Sequence, residues 1–239
     1  MGAIAGLPTA MRVICDFDGT ITRQDSTDLV LEALAAPDWR RLQDEWLAGR
    51  LSGAECMRGQ VALIGGSDAE LDAVLDQVQM DPGFSGFVDW CEARGVALSV
   101  VSDGVDYFIG RILARHGLQR LSRVANRLAG GPGARRLEQP WLRPDCGAGS
   151  GVCKCAAGLA DLPAGGTSIF VGDGRSDYCI ADRADILFAK GALADRAGDR
   201  NQAYLPFETF DDVRRTLAVL MGEHLAAPTA PHSKLSGAC

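Results

Sequence analysis

The chain has 239 residues, enough to bury a sizeable core as one domain with an insert or as two small domains. Its 47% hydrophobic and 23% charged content is that of an ordinary globular protein, and a formal net charge of -7 argues against a nucleic-acid partner, which needs a basic face. No apolar run approaches a membrane span, and Met1 to Ala10 carry no Lys or Arg, so neither a membrane partner nor a signal peptide is expected.

In chain order, Val13–Cys15 is an apolar run that stops at Asp16-Phe17-Asp18-Gly19-Thr20, so it reads as a buried strand with two carboxylates at its end. Ser26 is placed to cap a helix to about Ala36, and Pro37-Asp38 opens another carrying Trp39, Leu42, Trp46 and Leu47. Ser52 starts a third helix to about Ile64, and Ser67-Asp68-Ala69-Glu70 is a capping box for a fourth. A helix over 84–94 leads into a strand over 96–101, ending at Ser102-Asp103-Gly104, and a helix over 106–118 follows. Residues 124–128 and 135–141 flank Ala129-Gly130-Gly131-Pro132-Gly133 as a hairpin, and a Gly- and Cys-rich loop over 144–152 precedes a short helix from Lys154.

A third apolar strand ending in a polar turn, 167–172, runs into Asp173-Gly174-Arg175-Ser176-Asp177. Helix 176–183, strand 186–189, helix 192–199, strand 203–205 and helix 211–224 complete the pattern, with 226–239 expected as a loose tail. Alternating strands and helices predict an α/β fold: a Rossmann-like doubly wound parallel sheet with a small all-helical cap inserted after the first strand. The expected division is core 1–25, helical cap 26–83, core 84–225 and tail 226–239.

Strand ends in an open α/β sheet are where ligands bind, and three of them here end in Asp16, Ser102 and Asp173. Close carboxylates need a shared proton or a hard cation, although Asp18-Gly19 and Asp173-Gly174 taken singly also suit plain turns. If the ends converge, Asp16 and Asp173 can hold Mg²⁺. Asp16 can also attack phosphorus directly, since a carboxylate is ionised at neutral pH, and Asp18 can serve as general acid and then base. Ser102 and Lys154 fill the roles of hydroxyl donor and charge clamp, while the neutral readings are a cap serine and a solvated lysine. Of the lysines there are only Lys154, Lys190 and Lys234, and the three histidines stand beside no strand-end carboxylate.

Cys146, Cys153 and Cys155 crowd one loop. Zinc, a disulfide and simple small residues all remain open there; the spacing lacks a C-x-x-C pair and has no nearby histidine, which favours the last. Four of the eight cysteines sit in apolar strand or helix patterns, and the setting expected is reducing and cytoplasmic. Cap side chains Trp39, Arg41, Trp46 and Arg58 are candidates for facing a substrate, against the plainer reading of core and solvated surface.

These signals in this order resemble the haloacid dehalogenase superfamily of phosphatases over nearly the whole chain, most specifically at Asp16-Phe17-Asp18-Gly19-Thr20. The resemblance implies Asp16 as nucleophile and metal ligand, and Asp18 as acid/base with its carbonyl on the metal. It implies Ser102 and Lys154 on the phosphate, Asp173 and Asp177 in the metal set, and Thr20, Asp25, Asp103 and Gly104 around the substrate. The helical insert is similar to the cap of the phosphoserine phosphatase-like branch, where a glutamate usually stands at the place of Asp25 and Ser-Gly-Gly at that of Ser102-Asp103-Gly104. The implied substrate is a small phosphorylated metabolite, with the enol-phosphate of methionine salvage as the nearest likeness. Phosphoserine phosphatase, phosphomutase and a non-catalytic metal or phosphate sensor are the alternatives, and nothing in the sequence speaks to oligomeric state.

Overall fold

The structure is a computed structural model that describes residues 10–223. The tail expected at 226–239 lies outside the described residues. No helix among them is long and apolar enough to cross a membrane.

A seven-stranded sheet has the order β4-β3-β2-β1-β5-β6-β7. Its strands are β1 (Met11–Cys15), β2 (Ala97–Val105), β3 (Ser122–Ala129), β4 (Arg136–Glu138), β5 (Thr167–Gly172), β6 (Ile186–Ala189) and β7 (Leu205–Pro206). All pairings are parallel except the β3–β4 hairpin. Central strands of such a sheet are covered on both faces and so read as continuous apolar runs, as β5 does with every residue buried.

Side chains alternate between the faces. Val13 and Cys15 join the larger core with α5 (Phe84–Ala93), α6 (Asp106–Arg115) and α10 (Phe210–Leu220). Ile14 points the other way, among residues of α7 (Lys154–Leu159), α8 (Tyr178–Ala181) and α9 (Gly191–Asp199).

Between β1 and α5 stand α1 (Ser26–Leu34), α2 (Trp39–Leu47), α3 (Gly53–Ala62) and α4 (Asp68–Leu75). α2 packs on α3 and α1 on α4, while α3 lies against β4 and α4 against α6. Both capping boxes form, Ser52 with Glu55 and Ser67 with Glu70. A short neck joins this group to the sheet: Thr22 bridges Met80, the Arg23 amide donates to the Gln79 carbonyl at 2.9 Å, and the Asp81 amide donates to the Ile21 carbonyl at 2.8 Å.

Four local expectations change. The α1 cap is Asp25 rather than Ser26: its backbone is extended and its carboxylate accepts from the Asp28 amide, while Ser26 is already helical. β2 runs on through Ser102 to Val105, because an irregularity between Val101 and Val105 lets pairing with β3 resume at Asn126. The helix after Asp173 is a 3₁₀ turn, Arg175–Asp177, followed by the short α8. β7 lies two residues late and ends at Pro206, which has no N–H to extend the ladder.

Candidate active site

Strand register assembles the site. Cys15 pairs with Val100 on one side and Val171 on the other, so Asp16 follows level with Val101 and Gly172, and Ser102 and Asp173 come next. The Asp16 amide still donates to the Val171 carbonyl at 2.9 Å, which fixes where its side chain leaves the sheet. The turn to Asp18 and Thr20 needs Gly19 at φ 74°, in the left-handed region, and a Cβ there would also lie 2.5 Å from Asp173 Oδ2.

Lys154 is fully buried, and its Nζ lies 2.7 Å from Asp16 Oδ1 and 2.6 Å from Asp177 Oδ1. Asp177 Oδ2 accepts from the amides of Asp173 at 3.1 Å and Gly174 at 3.0 Å. Both oxygens of this buried carboxylate are thereby used in holding the lysine and the Asp173 turn. Thr20 donates to Asp173 Oδ1 at 2.5 Å, and Lys190 donates to the Thr20 carbonyl at 3.4 Å. Ser102 Oγ accepts from the Gly104 amide at 3.0 Å.

Charge is not balanced. Ligand oxygens of Asp16, Asp173 and Asp177 lie within 4.8 Å of one another, with Lys154 the one buried ammonium among them. Burial pushes Asp16 up, Asp177 and Asp173 add to this, and Lys154 only partly opposes them. Against its own desolvation, Lys154 is raised by Asp16 and Asp177 and stays protonated. Burial and then Thr20 govern Asp173, which also ends up raised. Asp16 and Asp173, hard oxygen donors short of positive charge, fit a hard divalent cation, with Asp177 committed to Lys154 and the Asp173 turn. Asp18 is pushed up to about 7, mainly by burial and then by Asp25, although its Oδ1 accepts from the Ser26 amide at 2.8 Å. Burial and Asp28 push Asp25 up to about 6.

A cavity of about 300 Å³ opens over these groups. Asp16, Asp18, Asp25, Ser102, Asp103, Gly104 and Asp173 line it, whereas Lys154, Thr20 and Asp177 support it from behind. The Asp103 side chain faces away from a substrate role: it accepts from Asn126 at 3.2 Å and from the Val152 amide at 2.9 Å, tying β2 to the loop before Lys154.

Of the four cap candidates, Trp46 lines the cavity. Trp39 is buried under α2, Arg41 is exposed elsewhere, and Arg58 donates to Gln139 at 2.6 Å. Gln43, Cys56, Met57, Gln60 and Arg175 also line it. Helical spacing alone marks a buried face without saying whether a neighbour or a void covers it, so these residues carried no signal in the sequence.

The chain belongs to the haloacid dehalogenase-like hydrolase family, which it matches over residues 13–182. It is 30% identical over 216 residues to a 2-hydroxy-3-keto-5-methylthiopentenyl-1-phosphate phosphatase of Brevibacillus brevis, covering 88% of this chain and 96% of that one. A protein of the same name from Geobacillus thermodenitrificans is 30% identical over 205 residues, covering 84% and 92%. The family and the named relatives make the chain a phosphoric monoester hydrolase. Among solved structures, a phospho-aspartyl intermediate analogue of phosphoserine phosphatase superposes with a TM-score of 0.64 at 19% identity, covering 88% of this chain and 98% of that one. The last likeness is one of fold.

Proposed function

We propose that the chain is a Mg²⁺-dependent phosphatase acting through an aspartyl-phosphate on the compound its relatives are named for, 2-hydroxy-3-keto-5-methylthiopentenyl-1-phosphate. The observation that carries the substrate reading is the division of the cavity. Its floor is carboxylate and hydroxyl, and its cap side carries Trp46, Cys56 and Met57 with the amides of Gln43 and Gln60. A phosphate, a short oxygenated chain and a thioether end fit that sequence of surfaces, since polarizable sulfur and indole favour a methylthio group. Phosphoserine would need partners for an ammonium and a carboxylate; Asp25 and Arg175 line the cavity, Arg175 with its guanidinium over the Trp46 ring, while the cap's Arg58 is turned to Gln139, so a direct substrate comparison decides between the two.

In the chemistry, Asp16 attacks phosphorus, the bond to the leaving oxygen breaks, and Asp18 gives that oxygen its proton. Water then attacks the aspartyl-phosphate and returns a proton to Asp18, freeing Asp16 and phosphate. A group pushed up to about 7 holds a proton at neutral pH and can also accept one back. Ser102 donates to phosphoryl oxygens, and Lys154, fixed by Asp177, neutralises charge beside Asp16. Asp16, Asp173 and the Asp18 carbonyl would hold Mg²⁺, which supplies further charge neutralisation of the phosphoryl group. Asp177 acts as a positioning residue. The free thiols at all seven described cysteines suit a reducing cytoplasm.

The test pairs a variant with a substrate comparison. Asp16→Asn is expected to fold and to lose at least about 10³-fold in turnover of an aryl phosphate, and appreciable residual turnover sinks the mechanism. Wild-type kcat/KM is expected to favour the enol-phosphate over phosphoserine by about tenfold or more. Equal or reversed preference overturns the substrate reading.

A further inference from the structure

Four thiols from three separate segments meet behind the active site. Cys146 lies in the loop before α7, Cys153 and Cys155 flank Lys154 at the start of α7, and Cys179 is on α8. Sγ atoms of Cys146, Cys155 and Cys179 are all within 4.8 Å of one another, and Cys153 Sγ is 3.4 Å from Cys155 Sγ. All four are free. Cys153 and Cys155 are buried, while Cys179 lines a second cavity of about 700 Å³ that gives an ion a way in.

We propose that Cys146, Cys153, Cys155 and Cys179 bind one Zn²⁺ as a tetrahedral thiolate site. Zn–S bonds of about 2.3 Å place sulfurs about 3.8 Å apart, a spacing that Cys146, Cys155 and Cys179 approach, while Cys153, 3.4 Å from Cys155, is the fourth donor and moves furthest to close the tetrahedron. A disulfide would use two of the four sulfurs and leave the convergence of the other two without a cause. Binding replaces thiol protons, which leave to solvent, and the resulting dianionic centre adjoins a cavity lined by Arg183 and by Arg196, the latter paired with Asp182 at 2.8 Å. Soft thiolates select zinc where the aspartate site selects a hard cation, so the two sites do not compete.

The consequence is mechanical. Cys153 immediately precedes Lys154 and Cys179 stands two residues after Asp177, so the ion ties together the two segments whose side chains make the buried ion pair. Cys146 begins the turn whose Gly149 carbonyl accepts from the Ala54 amide of α3 at 2.9 Å. A zinc centre therefore fixes both the lysine and the loop on which the cap rests.

The experiment is anaerobic titration of the reduced full chain with Co²⁺ as an optical probe, followed by displacement with Zn²⁺. One equivalent is expected to give the thiolate-to-cobalt charge-transfer band and the visible bands of tetrahedral coordination, and zinc is expected to bleach both. Cys179→Ser and Cys146→Ser are expected to weaken binding by about tenfold or more while circular dichroism shows the fold kept, and Asp16→Asn is expected to bind as wild type does. Absence of the charge-transfer band in wild type overturns the proposal. So does a band that survives in both cysteine variants, or that disappears in Asp16→Asn.

Discussion

Gly104 is glycine because of Asp18: a Cβ there would lie 2.6 Å from Asp18 Oδ2 and 3.1 Å from Ser102 Oγ. Both obstacles are side-chain ends that can turn aside, so Gly104→Ala is expected to fold with little loss of stability while moving the proton carrier out of line. A displacement of about 1 Å can cost on the order of 10²-fold in rate, so turnover is expected to slow by roughly one to two orders of magnitude with an unchanged melting temperature. Lys154 shows the opposite balance. Removing it in Lys154→Met leaves buried Asp16 and Asp177 uncompensated, with an expected loss of about 3–5 kcal/mol at pH 7 in EDTA, read from urea unfolding. Asp16, already raised by burial and its acidic neighbours, is then raised further. A carboxyl whose folded value exceeds its unfolded one stabilises at low pH and loses that contribution as pH rises through the folded value. The gap to wild type is therefore expected to narrow on acidification.

Among the elements, Asp185 fastens the loop before β6 to the start of β5, accepting from the Ser168 amide at 2.8 Å and its hydroxyl at 2.6 Å. Those bonds hold its carboxyl below the usual range, so the contribution is present above the unfolded value of about 3.9 and is lost as pH falls through the folded one. Asp185→Ala is expected to cost about 0.5–1 kcal/mol at pH 7, kept small by exposure, and nothing in acid below the folded value; melts at both ends of the range check this. The strands and their terminal aspartates were legible in sequence because a buried parallel strand is a continuous apolar run that must stop abruptly. The α1 cap was not, since Asp25 and Ser26 are both good caps and only the Asp28 amide decides between them. Nor was the reach of β2, because irregular pairing leaves no period. Cys179 stood apart from the cysteine-rich loop in sequence and joins it only through the packing of α7 on α8.

For the molecule as a whole, the four helices α1–α4 meet the rest of the chain at the neck, against α6 and at the hairpin edge, beside a cavity that opens to solvent. The neck holds by backbone bonds between 21–23 and 79–81, which a hinge can keep while turning. Away from the neck the holding groups are side chains: Arg135 donates to the Gly65 and Gly66 carbonyls and pairs with Asp68 at 2.8 Å, and Arg111 of α6 pairs with Asp72 at 2.9 Å and Asp76 at 2.8 Å. Gln139 on the hairpin side accepts from Arg58 at 2.6 Å and donates to the Ala54 carbonyl at 3.1 Å, beside the Ala54–Gly149 bond. Gln139→Ala removes both of its bonds to α3 without touching any group that lines the cavity. Amide exchange is then expected to quicken at the start of α3 and around Gly149 while β1 and β5 stay protected. Closure of the cap excludes water and presents Trp46 and Met57 to the substrate, so kcat/KM for the enol-phosphate is expected to fall several-fold, with a smaller loss for an aryl phosphate that needs the cap less. Equal losses for both substrates, with exchange unchanged at α3, would mean that the helices are fixed to the sheet and that the cavity fills without their movement.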